Sequence, residues 1–442
     1  LWGWLILASK MNPSFLLYNL AALSGAALLP PVWLASRLSG RFNEFWPRIG
    51  LYSALPPAQP GPRVWLQAVS VGEVAVAKAL ADELLQKIPN LNLTITSSTP
   101  KGLEEATKVL GDRAVIAPFP LDLPWAVAAA CRKIRPHVYA SLETEIWPNL
   151  LTWLKNRGAT SLMLNGRLSP RSLPGYQKAG PLMTYSLGHF KRLSMITEKD
   201  AERIISLGAD PEAVTVDGNA KYAGLLDKVD TDKVNDLKRV FNLEKAPLLV
   251  AGSVRSGEET PVISAFKAVL AKHPQAVLAI APRHLENSAK WSAAARAADL
   301  SVELWSGLSP ETPRNPETKV VVVDAMGLLF SLYGLAKAAF VGASLVKLGG
   351  QNPMEAAVWG VPVCYGPDMD DFTDAARALE EAGASQMVEN REQLAQTWNQ
   401  WLNNEISRPG QAGAQVVARW SGAASKAAQI IQSELLNQGV YR

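Results

Sequence analysis

From residue 64 onward the chain alternates between two patterns. Short runs rich in apolar and β-forming residues at 64–69, 91–96, 138–142, 161–164 and 193–197 predict buried strands. Between them, longer stretches at 74–88, 125–134, 147–157 and 199–207 carry their apolar residues at helical spacing. The series restarts after about residue 230. Runs at 248–251, 277–281, 320–323, 339–341 and 361–365 predict strands, Phe266 sits in a helical stretch, and another helix opens over 354–359. Near-continuous apolar strands separated by helices predict parallel sheets covered on both faces. Two such series, broken at 218–228, predict an α/β chain of two doubly wound, Rossmann-like domains, 56–225 and 226–442. Ligands of such sheets bind beyond the carboxyl ends of the strands, so the cleft between two such domains is the expected active site.

The pattern before residue 56 differs. Residues 15–34 read FLLYNLAALSGAALLPPVWL and carry no charge, close to the ~20 residues a spanning helix needs. Pro30 and Pro31 interrupt the end of the run, and Arg37, Arg41 and Arg48 follow. By the positive-inside rule those arginines, and all that follows them, lie in the cytoplasm. A cleaved signal peptide carries its charges on the other side. The expectation is a membrane anchor over 1–55, single-pass or peripheral, with a helix packed on the body as the alternative. Pro56, Pro57, Pro60, Gly61 and Pro62 mark a linker. Met11 lies just before the apolar run of a chain that begins with Leu1, so residues 1–10 read as an upstream extension or as the true start.

Composition narrows the classes. Of 442 residues, 48% are hydrophobic and 19% charged, which excludes a mainly disordered chain. A single long apolar stretch excludes a polytopic membrane protein. Cys131 and Cys364 are too few and too far apart for a disulfide scaffold or a cysteine-built zinc site, and they fit a reducing compartment. Four histidines leave little for a metal centre. The net charge of +4 is concentrated at the start, where Lys10, Arg37, Arg41 and Arg48 face Glu44 alone, so no nucleic-acid partner is expected.

Five segments carry candidate chemistry, each at the carboxyl end of a predicted strand or at the domain junction. Ser70-Val71-Gly72-Glu73 has the spacing of a helix capping box; its Glu73 also lies where a carboxylate can take a proton from a substrate hydroxyl. Glu143-Thr144-Glu145 precedes Pro148 in the first turn of a helix; the two acids suit a helix start or a polar pocket. Gly218-Asn219-Ala220-Lys221 is a turn with a lysine at the domain junction. Pro282-Arg283-His284 places an arginine where it can grip a phosphate or form a surface ion pair, and Ser253 and Arg255 follow a neighbouring strand. In GASLVKLGGQNPME, Gly349 and Gly350 leave room for a ligand, and a helix begins with Asn352 as cap and Pro353 at its first position, a start that favours an anion. No Gly-Lys-Ser/Thr follows, so this is not a Walker loop.

Together the segments AVSVGEV, LETEIWPN, LNGRLSPRS, GNAKY, AGSVRSGEE, APRH and LGGQNPMEAAVWGVPVCYGP, in that order from about residue 15 to the C-terminus, resemble the 3-deoxy-D-manno-octulosonate (Kdo) transferase family of Gram-negative bacteria. The resemblance implies an inverting GT-B glycosyltransferase of lipopolysaccharide biosynthesis, with acceptor in the N-terminal domain and donor nucleotide in the C-terminal one. It implies CMP-Kdo as donor, the lipid A precursor as acceptor, the inner membrane surface as workplace, and no metal or other cofactor. By the same resemblance Glu73 is the general base, and Glu143 and Lys221 are polar groups near the developing charge. Pro282, Arg283, Gly327, Leu328, Leu329, Asn352, Pro353, Met354 and Glu355 belong to the CMP site. Two positions depart from the family's pattern: Gln351 stands where a His is common, and Leu285-Glu286-Asn287 follows His284. A GT-B transferase using a UDP-sugar on a lipid, and a non-catalytic membrane-tethered scaffold of the same fold, are the competing readings; competition by CMP against UDP, and a turnover assay, separate them.

Overall fold

The computed structural model describes residues 12–26, 30–31, 37–38, 46–52, 55–56, 58–244, 246–403 and 408–440. Leu1 and Met11, parts of the apolar run (27–29 and 32–34), Arg41 and Pro57 of the linker lie outside the described residues. The chain divides into two compact units, one running to Ala223 and resuming at Trp420, the other spanning Gly224–Arg419.

In unit one, seven described strands form a parallel sheet: β1 (Arg63–Gln67), β2 (Asn92–Ser97), β3 (Val115–Pro118), β4 (Val138–Leu142), β5 (Thr160–Gly166), β6 (Phe190–Met195) and β7 (Val214–Val216), in the order β3-β2-β1-β4-β5-β6-β7. Both faces are dry. Along β1, Val64 and Leu66 enter one core while Trp65 enters the other; β4 repeats this with Val138, Ala140 and Leu142 against Tyr139. That two-residue alternation between two apolar cores produces the continuous apolar reading of the strands.

Unit two repeats the architecture with β8 (Leu248–Val254), β9 (Val277–Pro282), β10 (Val302–Leu304), β11 (Val320–Val322), β12 (Ala336–Val341), β13 (Val363–Tyr365) and β14 (Ser385–Met387), in the order β10-β11-β9-β8-β12-β13-β14. Its core gathers Leu249, Ala251, Leu278, Ile280 and Phe340 from the strands and Val262, Phe266, Trp291 and Trp398 from the covering helices. Two doubly wound units of this kind are the GT-B class.

The sequence pattern does not predict β3, β7, β10 and β14, and these are the four edge strands. Three of the four span only three residues, and none is buried throughout. An edge strand lacks a neighbour on one side, so it needs no unbroken apolar run.

The pattern assigns the chain to its C-terminus to the second domain, whereas the stretch from Trp420 joins unit one. The helix Ala423–Asn437 lies on the helix Val71–Lys87, with Ala427, Ala428, Ile431 and Leu435 in the same core as Leu80 and Leu84. An apolar helix face does not itself say which sheet it will cover. Gly218 is the companion of this return: a β-carbon there would sit 2.5 Å from Cδ1 of Trp420, and the residue has φ +89°.

Near the N-terminus, Asn12 caps the helix Pro13–Ala26 by accepting from Ser14 N at 2.9 Å. The helix is docked on unit one. Phe15 is buried with its ring 5.2 Å from that of Tyr185, and the Tyr18 hydroxyl donates to Asp122 Oδ2 at 2.9 Å. Its other face shows Leu16, Leu17, Leu20 and Leu23 to solvent. No helix among the described residues is long and apolar enough to cross a membrane.

Candidate active site

On unit one the site is built at the carboxyl edge of β1, β4 and β5. Ser70 is the N-cap of the helix Val71–Lys87. Its hydroxyl oxygen accepts from Glu73 N at 3.4 Å and its O–H donates to Glu73 Oε1 at 3.0 Å. Val69 N donates to Glu73 Oε2 at 2.6 Å. Glu73 thus reaches back to the N–H just before the cap, a variant of the capping box, and the residue is only 7% exposed. Burial, reinforced by the charges of Glu143 and Glu145 and opposed by the Val69 N–H and the Ser70 hydroxyl, pushes it up to about 7. Each oxygen holds one of these donors and keeps a second lone pair.

The two other acids follow β4. Glu143 sits in the left-handed region at φ +60°, a conformation that residues with a β-carbon rarely adopt. Its N–H still bonds to Leu164 O of β5 at 3.0 Å. Glu145 accepts from Trp147 Nε1 at 2.7 Å, and burial first, then Glu143, raises its carboxyl. The intervening Thr144 donates through Oγ1 to Arg167 O at 2.6 Å, tying this loop to the one after β5. Neither acid caps the helix Pro148–Asn156. That is done by Asp122, whose carboxylate accepts from Asn149 N and Leu150 N, both at 2.9 Å. Asp122 lies before β4 in the chain, so no local pattern announces this cap.

Lys221 lies in a 3-10 turn, Ala220–Tyr222, packed against the helix Val71–Lys87. Asn219 Oδ1 accepts from Lys221 N at 2.9 Å, and Asn165 Oδ1 accepts from Ala220 N at 2.7 Å. Asn165, the penultimate residue of β5, has φ +56°, so a buried side chain from the sheet holds the turn while the Lys221 side chain stays exposed. The structure thus joins Glu73 to Glu143 electrically and sets the Lys221 turn on the same helix.

On unit two the predicted residues also gather at carboxyl ends. Pro282 ends β9 and is buried; Arg283 follows, exposed, with its N–H on Val254 O at 3.0 Å. Among the described residues its guanidinium makes no hydrogen bond, and its charge acts on Glu355. Arg255 NH1 meets His284 Nε2 at 2.7 Å. Glu355 accepts from Asn352 Nδ2 at 3.3 Å. Burial raises its carboxyl, against Asn352, Lys228 and Arg283. Gly327 (φ +84°) and Leu328 lead into the helix Leu329–Tyr333, which packs on the helix Met354–Ala357. Burial, with Glu355 as second cause, pushes the Tyr333 hydroxyl up. Residues 327–329 and 352–355 are thereby brought together.

Two expectations about this loop change. Gly349 and Gly350 make room for the chain's own neighbours: β-carbons there would lie 2.5 Å from Asp371 Oδ2 and from Met369 Sδ. Asn352 does cap, accepting from Met354 N at 3.1 Å, but Pro353 precedes the helix, which spans only the four residues Met354–Ala357. So short a helix has little macrodipole to offer an anion, and charged side chains carry more of that task. Glu258, Asn165 and Asp122 carry no sequence signal of their own. All three are buried polar residues, and each works through backbone groups distant in sequence, a signal that one sequence does not carry.

Two doubly wound parallel sheets with acids and bases at the carboxyl ends of their strands define the GT-B fold class. Residues 43–224 match the family described as 3-Deoxy-D-manno-octulosonic-acid transferase (kdotransferase). The chain is 31% identical over 396 residues to the 3-deoxy-D-manno-octulosonic acid transferase of Haemophilus influenzae, covering 88% of this chain and 90% of that one. It is 30% identical over 416 residues to that of Bordetella pertussis, covering 91% and 94%. In fold it is similar to the UDP-GlcNAc 2-epimerase of Neisseria meningitidis, with a TM-score of 0.54 at 13% identity over 85% of this chain and all of that one. The chain belongs to the 3-deoxy-D-manno-octulosonic acid transferase family, glycosyltransferases of lipopolysaccharide biosynthesis.

Proposed function

We propose that this transferase moves Kdo from CMP-Kdo to the lipid A precursor, with Glu73 as the base. The observation that carries the reading is the buried carboxyl of Glu73, pushed up to about 7 at the edge of the sheet. A base is most effective when its pKa lies near the working pH. An acceptor sugar hydroxyl gives its proton to a Glu73 oxygen as the hydroxyl oxygen bonds to the anomeric carbon of Kdo. The bond from that carbon to the phosphate oxygen breaks on the opposite face, and CMP leaves with the bonding electrons, so configuration inverts. Lys221 offsets the Kdo carboxylate, and the Glu143 side chain supports the positive charge that develops on the sugar.

In unit two, Arg283 faces the single phosphate of CMP, and residues 327–329 and 352–355 hold the rest of the nucleotide. A guanidinium suits one phosphate bidentately, so the chemistry needs no divalent ion; full activity in EDTA is the expected result. The helix Pro13–Ala26 works at the membrane surface. Phe15 and Tyr18 dock it on unit one, while Leu16, Leu17, Leu20 and Leu23 form an uncharged exposed stripe suited to the acyl boundary of the inner leaflet.

The test is mass spectrometry of the lipid product after the enzyme is mixed with CMP-Kdo and a tetra-acylated lipid A precursor. The expected result is acceptor carrying added Kdo, with release of CMP. Unchanged acceptor, or turnover only with a UDP-sugar, contradicts the proposal.

A further inference from the structure

We propose that Glu258 is a positioning residue that shapes the nucleotide side of unit two from within, a role that rests on unit two binding CMP-Kdo. Glu258 is fully buried, yet among the described residues no lysine, arginine or histidine pairs with it. A buried carboxylate without a cation is costly unless hydrogen bonds replace the lost water. Here four backbone N–H groups do so. Oε2 accepts from Arg255 N and Ala343 N, both at 2.8 Å, and Oε1 accepts from Ser344 N and Leu345 N, both at 3.1 Å.

Three successive amides turned toward one carboxylate make an anion nest. The chain reaches that shape only because Ala343 adopts φ +59°, unusual for a residue with a β-carbon. The carboxylate therefore holds the turn after β12 in a conformation it would otherwise leave, since its three N–H groups would be buried without partners. The far side of the same turn carries the glycine loop. Ala343 O accepts from Gly350 N at 2.9 Å, and Ser344 O accepts from Asp368 N at 3.1 Å. Asp368 Oδ2 in turn accepts from Gly349 N at 2.9 Å. Gly349 and Gly350 lead directly into Asn352–Glu355. On its other side Glu258 fixes Arg255 N, beside the Arg255–His284 contact and next to Arg283.

One buried carboxylate thus ties the loop after β8, whose Arg255 meets His284 beside Arg283, to the loop after β12 that leads into Asn352–Glu355. It also fills the nest, so the donor phosphate has no place on those amides and falls to side-chain cations. The adjacent acid does none of this: Glu259 pairs with Lys290 at 2.9 Å and accepts from Gly257 N at 2.7 Å.

The experiment compares wild type, Glu258→Gln, Glu258→Asp and Glu259→Gln for CMP affinity by calorimetry, and for KM of CMP-Kdo and of acceptor. Glu258→Gln keeps the shape but turns an NH2 toward backbone donors. The expected result is CMP affinity weaker by on the order of tenfold, the equivalent of one charge-assisted hydrogen bond. KM for CMP-Kdo should rise in parallel, with acceptor KM unchanged and Glu259→Gln like wild type. A folded Glu258→Gln that binds CMP as wild type does overturns the proposal. Should that variant not fold, Glu258→Asp must show the same selective loss; normal CMP affinity there, or failure of both variants to fold, leaves Glu258 a purely structural residue and also overturns it. A wild type that does not bind CMP sinks the donor assignment itself, an outcome distinct from wild-type binding that both variants keep.

Discussion

The carboxyl of Glu73 stands near neutrality because burial outweighs the hydrogen bonds that favour its charge. Burial and the charges of Glu143 and Glu145 push it up to about 7, while the Val69 N–H and the Ser70 hydroxyl pull it down. A base acts only when ionised, so kcat/KM should rise with pH, reach half its plateau near 7, and stay level above. The same shift has the opposite sign for stability. The fold favours the protonated form, so this group's contribution is complete below its ordinary value of 4.5 and is lost as pH rises through about 7. Glu145→Gln removes a like charge, and the acid limb of the rate profile should move to lower pH; a limb that stays in place means that Glu73 does not titrate in it. The three acids interact, so the limb reports their coupled behaviour rather than one site. The Ser-x-x-Glu spacing makes the cap legible in the sequence. The perturbation is not legible there, because Glu143 and Glu145 reach Glu73 only through the pairing of β1 with β4.

At the scale of elements, apolar patterning reports strands buried on both faces and little else. It finds the central strands of both sheets and passes over the edges, where one side meets water or a loop. Starts and stops depend on partners that local sequence does not name. The helix Pro148–Asn156 has no side-chain cap of its own and begins where Asp122 accepts Asn149 N, Leu150 N and the Tyr18 hydroxyl. Burial outweighs these donors and raises the Asp122 carboxyl to about 6. Asp122→Asn turns an amide toward donors and should cost about 2–3 kcal/mol, in line with losing a hydrogen bond to a charged group. Thermal melting at pH 7.5 checks this, with an unchanged Tm as the contrary result. The glycine loop teaches a related lesson. The Gly349-Gly350 pair reads as space for a ligand, but the space is taken by Met369 and Asp371, residues whose approach is set by the path of the chain after β13.

At the scale of the molecule, the two series of strands divide the chain near residue 223, within the predicted break, but only three-dimensional packing returns the last helix to unit one. The N-terminal segment has a similar double character. Its lack of charge is plain in the sequence, while its attachment through Phe15 and Tyr18 is not. Deleting residues 1–40 removes the leucine stripe, the Phe15 contact and a donor to Asp122. The truncated protein should lose binding to vesicles of inner-membrane lipids. It should stay folded with a Tm lower by several degrees, at roughly 2–4 °C per kcal/mol for a domain of this size. Activity should fall further on acceptor in bilayers than on acceptor in detergent, because the surface no longer concentrates enzyme on substrate. Flotation, melting and assay in both media check this. Vesicle binding equal to that of the full chain removes the helix from the membrane role.

Whether Glu73 takes the proton in the transfer step is decided by Glu73→Gln. Gln keeps the size of the side chain and an oxygen for the cap but cannot accept the proton. The measurement is the transfer rate under saturating CMP-Kdo and acceptor, with CMP affinity and Tm determined on the same preparation. The expected rate is lower by about 10²–10⁴-fold, with CMP affinity unchanged and the protein folded. A folded variant that keeps most of its rate and loses only about 1 kcal/mol of stability, the worth of a helix cap, would contradict it.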